Sequence, residues 1–307
     1  MANETTYASL SDSRLSEILA AEYDLLLASR TRLADHPALL YGGSITNTGS
    51  NVIKRPFYGL DGYVLPGSES DAATVANTVL ADDKFTVTVA RYSKAYAPTD
   101  LAVGTDPFAV LTPQRLVQDA VVSSEQRLVA LIAALAGGFS TVVGSSGGNM
   151  TLQNFMDANA SLDINDAEGA AICMLHPRQW HDLLADLSLN SGGGIIYTPA
   201  TAELTRIRGN GYQGQLMGVD VWTSTRIPTA NAGADRAGGM FVRGAIQWAD
   251  MQMQSVVTDP TSQIAIGNVL FERERIAAQG VTQYVTHTYL GAAECLDLAG
   301  VSIITDA

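Results

Sequence analysis

The sequence predicts a mixed α+β fold, and three observations support that class. One long helix, Pro113–Ala136, stands near the middle of the chain, and a polar, strand-like arm comes directly before it. A helical block then precedes strands that do not alternate regularly with helices. Because a doubly wound parallel sheet requires such alternation, this order argues against one. Apolar residues make up 47% of the 307 residues and charged residues 16%, a composition that can bury a sizeable core.

The residues that flank the long helix mark its two ends. Thr112 is a suitable N-cap, and Pro113 fits the first turn, where its missing N–H costs no hydrogen bond. Gly137 and Gly138 end the helix, because glycine tolerates the left-handed conformation that follows a C-terminus. The unbroken apolar stretch, residues 128–139, is shorter than the ~20 residues that a bilayer requires, so the helix is not predicted to span a membrane.

The apolar residues of this helix fall on one broad face. They are Leu116, Val117, Ala120, Val121, Leu128, Leu131, Ile132 and Leu135. Val122 and Val129 lie off that face, which indicates that a second surface of the helix is also buried.

Two predicted features precede the long helix. Residues 10–33 read as an amphipathic helix, which is marginal unless it docks on another surface. Residues 52–58 and 85–92 read as paired strands, and the second alternates apolar and polar side chains. The insert between them, residues 59–83, is too poor in large apolar residues to build a core. A long arm of this kind requires a neighbour or acts as a mobile lid.

Shorter elements are predicted after the long helix. Helices are expected at 152–160 and from 177, and strands at 170–175, 219–224, 240–242, 245–253, 269–279, 282–290 and 298–305. Residues 233–238 read as a loop, residues 202–214 are polar and mixed, and Gly280 marks a bend between two long strands.

Charge and cysteine content exclude some classes of protein. The net charge of −13 argues against a uniformly basic nucleic-acid surface. The two cysteines, Cys173 and Cys295, are far apart and form no disulfide framework, which suits a reducing compartment. The first residues show no basic region followed by an apolar core, so we expect no secretory signal.

Two motifs that carry chemistry in other proteins are present but incomplete. Residues 209–214 match the spacing G-x-G-x-x-G of dinucleotide-binding loops, but a strand-like segment follows where a helix is required, so we favour a glycine-rich turn. Cys173, His176 and His181 can ligate metals, yet five positions along a helix place the two histidines about 140° apart. A second ligand cluster is missing. We predict no catalytic, cofactor-binding or metal site.

A run of alternating charge occurs late in the chain. Glu272 and Glu274 alternate with Arg273 and Arg275. On a strand this order gives one acidic and one basic face. Both a salt-bridge ladder between subunits and an ordinary solvated surface fit the pattern.

The order of these elements resembles the major capsid proteins of tailed bacteriophages, the Hong Kong ninety-seven-type fold. Residues 175–180 (LHPRQW) resemble its strand, His-Pro and helix segment after the long helix. Residues 214–228 (GQLMGVDVWTSTRIP) resemble its G-x-L-x-G-V-P-V strand and I-P turn, with Asp220 at a position where the family has proline. Residues 244–248 and 271–275 resemble its last strands. The resemblance spans nearly the whole chain.

This resemblance implies a division of the chain into five parts. They are an N-terminal arm (1–51), an extended hairpin loop (52–97), a peripheral domain with the long helix as its spine (98–190), an axial domain (191–250) and return strands (251–307). The hairpin would lie over a neighbouring subunit, and the N-terminal helix would dock on an adjacent one.

The same resemblance implies a structural protein of the virion that needs no cofactor. It would assemble in the host cytoplasm into hexamers and pentamers, as a shell that encloses double-stranded DNA without sequence-specific binding. Scaffolding, decoration and portal proteins are its expected partners. The expected contacts between subunits are Lys54, Arg55, Phe57, Tyr58, Lys84, Arg91, Glu272, Arg273, Glu274 and Arg275.

Three alternatives remain open on the sequence. The first is the shell protein of an encapsulin-like nanocompartment, which shares the fold. The second is an enzyme whose mobile lid is formed by residues 59–83, which would require a convergent polar pocket. The third is a surface or adhesion protein, which the expected lack of a secretory signal disfavours.

Overall fold

Two large sheets and a two-stranded hairpin organise the computed structural model. The structure describes residues 33–58, 82–105, 113–189, 197–208, 211–253, 257, 263–266 and 268–306. Within these ranges, sheet I has six strands and sheet II has eight. Several helices accompany the sheets, which confirms the predicted α+β class.

The bounds of the elements, in chain order, are as follows. The helices are α1 (Asp100–Thr105), α2 (Pro113–Ala136), α3 (Leu152–Ile164), α4 (Pro177–Leu189) and α5 (Ala202–Arg208). The strands are β1 (Leu39–Ser44), β2 (Val52–Tyr58), β3 (Asp82–Thr88), β4 (Ala90–Tyr96), β5 (Val142–Val143), β6 (Ile172–Leu175), β7 (Tyr197–Pro199), β8 (Tyr212–Leu216), β9 (Val219–Thr223), β10 (Thr229–Ala230), β11 (Asp235–Phe241), β12 (Ile246–Asp250), β13 (Gln263–Ile266), β14 (Val269–Ile276), β15 (Val281–Glu294) and β16 (Gly300–Asp306). Short 3₁₀ turns occur at Leu33–Asp35, Asn231–Gly233, Ala277–Gln279 and Asp297–Ala299.

The two sheets differ in their connections. Sheet I follows the path β1–β12–β15–β14–β13, and β4 also pairs with β15. Its pairs are antiparallel except β1 with β12. Sheet II follows the path β5–β16–β11–β6–β9–β8–β7, with β10 on β11 and two parallel pairs, β6–β9 and β5–β16. The hairpin is the antiparallel pair β2–β3.

The C-terminal half of α2 supplies a central part of the core. Ile132, Ala133 and Ala136 are fully buried, and the helix packs on β11. Val129 also packs against this core, as expected for a helix with a second buried surface. The helix and β11 are very close: a Cβ atom on Gly239 would lie 2.1 Å from the carbonyl oxygen of Ala136. Glycine at this position is therefore a packing requirement.

Several predicted elements are confirmed. Helix α2 has the predicted bounds, and α4 begins at Pro177. Helix α3 continues past the predicted end at residue 160. The predicted bend between the long strands β14 and β15 occurs at Gly280, which has the left-handed φ of 60°.

The prediction of a loop at 233–238 is wrong, because β11 begins at Asp235. This strand pairs with β16 along one edge and with β6 along the other. Gly233 and Gly238 bound the predicted loop, but a Cβ atom on Gly238 would lie 2.7 Å from the carbonyl oxygen of Met174. Glycine here permits close packing of a buried strand.

The predicted strand at 85–92 is two strands with different partners. Strand β3 pairs with β2, whereas β4 pairs with β15, and the change occurs at Val89. The chain crosses β15 at this point, since a Cβ atom on Gly291 would lie 2.1 Å from the carbonyl oxygen of Thr88. The mixed segment at 202–214 contains the helix α5 and the start of β8.

Two predictions concern parts of the chain with little description. The amphipathic helix at 10–33 lies outside the described residues except for Leu33, and the insert at 59–83 lies outside them except for residues 82 and 83.

The proposed boundary at residue 190 crosses sheet II, because β6 precedes it and pairs with β9, which follows it.

Candidate assembly surface

The base of the hairpin packs on sheet I through a small apolar cluster. Ile45, Val87, Val89 and Ala249 are buried together, and Ile53 packs against them. The predicted alternation is confirmed: Val87 is buried, whereas its neighbours Thr86 and Thr88 are exposed. One face of the hairpin therefore packs against the rest of the chain, and the other remains at the surface.

Positive charge lies on the exposed face of the hairpin. Lys54 pairs with Thr86, and Lys84 pairs with Pro56, two positions further along β2. Because alternate residues of a strand face the same side, the two lysines share a face. Both are exposed.

The remaining hairpin residues of the predicted contact occupy other register positions. Arg55 pairs with Phe85 on the opposite face. Burial raises the pKa of the Cys295 thiol to about 11, and the positive charge of Arg55 opposes that rise. Phe57 and Tyr58 stand opposite residues 83 and 82 in the pairing of the backbone.

Strand β4 connects the arm to the long helix. The guanidinium carbon of Arg127 on α2 lies 4.5 Å from the ring centroid of Tyr92, which is a cation–π distance. Arg91 stands opposite Tyr289 of β15 and is exposed. The cations of the predicted contact therefore extend from the hairpin onto β4.

A line of polar contacts crosses four strands of sheet I. Ser93 Oγ and His287 Nδ1 are 2.6 Å apart, and His287 Nε2 lies 3.1 Å from Glu272 Oε2. Gln263 Nε2 donates to Glu272 Oε1 at 2.9 Å. Glu272 thus has partners within its own chain. The sequence showed Glu272 as part of a charge pattern, but its pairing with His287 depends on strand register.

The other three charges of β14 are exposed, and Arg275 forms an ion pair within the chain. Arg275 donates to both carboxylate oxygens of Asp100 at 2.6 and 2.7 Å. This hydrogen bond and the charge of Arg275 hold the pKa of Asp100 below its usual range. Arg273 and Glu274 are exposed, opposite Tyr284 and Gln283.

Asp220, the residue that departs from the family pattern, is the centre of a buried polar cluster. Its carboxylate accepts hydrogen bonds from His36 Nε2 at 2.9 Å, from Tyr212 Oη at 3.1 Å and from Arg208. Because the backbone N–H of Ala38 donates to His36 Nδ1, the other ring nitrogen carries the hydrogen that faces Asp220. Burial alone would raise the pKa of Asp220, but hydrogen bonds from His36, Gln215 and Arg208 and the charge of Arg208 lower it to about 2.

The glycine-rich motif at 209–214 and the cluster of Cys173, His176 and His181 lie in different structural settings. In the described part of the motif at 209–214, helix α5 comes before and strand β8 after, the reverse of the order that phosphate binding requires. Cys173 is fully buried, which raises the pKa of its thiol. Among the described residues, no group of three His, Cys, Asp or Glu side chains could hold a metal ion. No helix in that part of the chain combines the length and hydropathy of a membrane span.

Known capsid structures share this fold. The chain resembles the capsid protein of the cyanophage P-SCSP1u at 13% identity and a TM-score of 0.59, over 90% of this chain and 88% of that one. It resembles the capsid protein of Ralstonia phage GP4 at 11% identity and the same TM-score, over 91% and 92%. The encapsulin of the holo-SrpI complex from Synechococcus elongatus PCC 7942 is also similar, at 11% identity, a TM-score of 0.59 and coverage of 87% and 85%.

Comparison of the sequence with family models distinguishes a phage capsid protein from an encapsulin. No curated protein matches the chain by sequence. The family model described as phage capsid protein matches residues 83–301, which is more than two thirds of the chain. The match includes α2, most of β3 and the strands of both sheets except β1 and most of β16. The chain therefore belongs to the phage capsid protein family.

Proposed function

We propose that this subunit of the phage head shell assembles with copies of itself into hexamers and pentamers that enclose double-stranded DNA. The family match carries the shell role and the location in the virion. On this proposal, sheet II gathers around the symmetry axes and the hairpin β2–β3 lies over a neighbouring subunit. The role is structural, without catalysis, and scaffolding, decoration and portal proteins are the further partners.

The charge of the hairpin is the observation that carries the assembly contact. The whole chain has a net charge of −13, yet one face of the hairpin carries the exposed Lys54 and Lys84. Lysines exposed on an acidic protein are attracted to acidic surfaces of other copies. Arg91 and Glu274 extend the proposed contact along one face of sheet I, and Arg273 offers a contact on the opposite face.

The same net charge suits a container for DNA. Negative charge on the protein repels the phosphate backbone, so packaged DNA would slide along the inner wall without binding to it. The proposed shell therefore encloses its genome without recognising its sequence.

A nanocompartment shell is the second candidate, and the likeness to an encapsulin favours it. That likeness has the same TM-score as the likeness to the cyanophage capsid. At 11% identity it supports the fold alone, whereas the phage capsid family matches by sequence. The contents of particles isolated from the natural source distinguish the two: DNA supports the phage head, and a protein cargo supports the nanocompartment.

Assembly of the purified protein tests the proposed function directly. We expect closed shells, hexamers or tubes by negative-stain electron microscopy and a matching mass by light scattering, with or without a scaffold protein from the same source. Protein that stays monomeric even with that scaffold would contradict the shell.

Charge reversal tests the contribution of the hairpin. In the double variant Lys54→Glu, Lys84→Glu, repulsion from the acidic neighbour should reduce the yield of particles at least about tenfold. A tenfold change in the association constant corresponds to about 1.4 kcal/mol of binding free energy. The matched control, Lys54→Arg with Lys84→Arg, keeps the charge and should assemble normally. Both variants should unfold within about 0.5 kcal/mol of the parent, because the lysines are exposed. Normal assembly of the charge-reversed variant would show that the hairpin lysines do not contribute to assembly. The proposed shell role would not be affected.

A further inference from the structure

Apolar side chains are exposed where helix α3 ends beside the chain that precedes β16. Ile164 is 80% exposed and Leu298 is 62% exposed. Asn165 Nδ2 donates to the carbonyl oxygen of Leu298 at 3.1 Å, which holds the two segments together. Exposed apolar side chains on neighbouring segments favour a protein contact more than scattered ones do.

Carboxylates surround the same end of α3. Asp163, Asp166 and Glu168 line a cavity of about 290 Å³, and all three are exposed. Residues 128–177, which include them, contain no lysine or arginine. These three carboxylates and the apolar pair Ile164 and Leu298 together form the α3-end surface.

The end of the helix adds to the negative potential of this surface. The C-terminus of a helix carries a partial negative charge and favours cations. The last turn of α3 contains Asp163 and no basic residue. Arg243 approaches the cavity, since its Cβ would lie 3.6 Å from a Cβ atom on Gly169. Its single charge is smaller than that of the three carboxylates and the helix C-terminus together, so a further cation would be stabilised here.

The hairpin of another copy offers a pair of cations at a matching distance. Lys54 and Lys84 are exposed at diagonal positions of the β2–β3 register. Diagonal neighbours in an antiparallel pair are about 7–8 Å apart, which is comparable with the width of a cavity of about 290 Å³. The hairpin packs on sheet I, whereas α3 packs on sheet II and α4. The two surfaces thus lie on different sheets of one subunit, and a contact between them joins two copies.

We propose that the α3-end surface receives the lysine face of the hairpin from a neighbouring copy of this chain, with Lys54 and Lys84 facing Asp163, Asp166 and Glu168. Charged groups beside apolar side chains are an ordinary composition for a protein interface. The inference rests on the proposed assembly and goes further, because it names the surface that the hairpin contacts.

Zero-length cross-linking of assembled parent particles tests this contact without any substitution. A carbodiimide joins a lysine amine to a carboxylate that it touches. We expect covalent oligomers on denaturing electrophoresis, and peptide mass mapping should join Lys54 or Lys84 to a carboxylate within residues 163–168. Lysine links confined to other carboxylates, or links to 163–168 only within single chains, would overturn the proposal.

Exchange of the charges measures the contribution of the contact. Asp163→Lys with Glu168→Lys should lower the yield of particles at least about tenfold, because like charges then face each other. The unassembled variant should keep the urea midpoint of the parent, since both positions are exposed and lysine is favourable at the end of a helix. When these changes are combined with Lys54→Glu and Lys84→Glu, the charges attract again, and the yield should return to within about threefold of the parent.

A second pair of exposed acids provides the control for net charge. Asp35→Lys with Glu203→Lys alters the net charge equally at positions outside the α3-end surface. This pair should not restore assembly of Lys54→Glu, Lys84→Glu. Restoration by the control, or failure of the exchange at all four positions, would overturn the contact. The shell role is tested separately by the assembly of the parent protein.

Discussion

Sheet II and the hairpin β2–β3 are ordered by different kinds of contact. In sheet II, the strands β6, β9 and β11 are buried on both sides, and β11 approaches helix α2 at the distance of backbone atoms. At the base of the hairpin, four buried residues form a separate small cluster, and the exposed face is polar and cationic.

The difference shows which region buries its apolar side chains within one subunit. Sheet II buries its apolar side chains within one subunit. The hairpin has used one face on sheet I and presents the other, so its surface is available for another copy. On the proposed function, another copy would cover the exposed face of the hairpin, so the subunit would combine a rigid body with a segment whose full burial depends on neighbours.

The largest expected effect is at the contact between α2 and β11. In Gly239→Ala the added methyl group would meet the carbonyl oxygen of Ala136, and neither backbone can move without disturbing the sheet. We expect a loss of about 3 kcal/mol or more in the free energy of unfolding, measured with urea. Gly138→Ala is the control, since its Cβ would lie 3.3 Å from the nearest atom, and it should cost less than about 1 kcal/mol. Equal stability of the two variants would contradict the close approach.

The next effect concerns the cluster around Asp220. Replacement by Asn keeps the shape but removes the charge that His36 and Arg208 contact, and should cost about 2 kcal/mol near neutral pH. The pKa of Asp220 is lowered to about 2, so its contribution is complete above the ordinary value of 3.8 and is lost as the pH falls through about 2.

Unfolding of the parent and of Asp220→Asn at pH 2 to 7 tests this window. The difference in stability should be constant above about pH 5 and should shrink towards pH 2. A difference that persists unchanged at pH 2 would show that packing, and not charge, stabilises the cluster.

A matched pair of valines sharpens the comparison between the two regions. Val221 in sheet II and Val87 in the hairpin cluster are 0% and 1% exposed. Val221→Ala should cost about 2 to 3 kcal/mol, whereas Val87→Ala should cost about 1 kcal/mol, because a small cluster at the surface can relax around the lost methyl groups. Urea unfolding of the unassembled protein measures both. Equal losses would mean that the hairpin base is as rigidly packed as sheet II.

Local patterns were sufficient to predict the elements whose signals lie close together in sequence. Helix α2 has both its N-terminal proline and its terminal glycines within a few residues of its ends, and its bounds were predicted correctly. The start of α4 at Pro177 and the bend at Gly280 are of the same kind. The alternation of Val87 with its exposed neighbours gave the correct faces of the hairpin.

The strand β11 is not predicted correctly from sequence, because the residues that require its glycines are remote in sequence. Gly238 and Gly239 resemble a loop signal, but the residues that require them are Met174 and Ala136. The change of partner at Val89 has a similar cause, since Gly291 allows the chain to cross β15. A single sequence does not show which backbone segments approach each other.

The sequence by itself determined the α+β class, the helix α2 and the resemblance to phage capsid proteins, because these depend on periodicity, capping residues and the order of elements. Only the tertiary structure decided which charges are used inside the chain. Glu272 bonds to His287 and Arg275 bonds to Asp100, and the pairing of β2 with β3 puts Lys54 and Lys84 on one exposed face. Asp220 likewise became a buried centre through a histidine 184 positions away. Strand register and long-range packing select such partners, and they depend on contacts between segments that are distant along the chain.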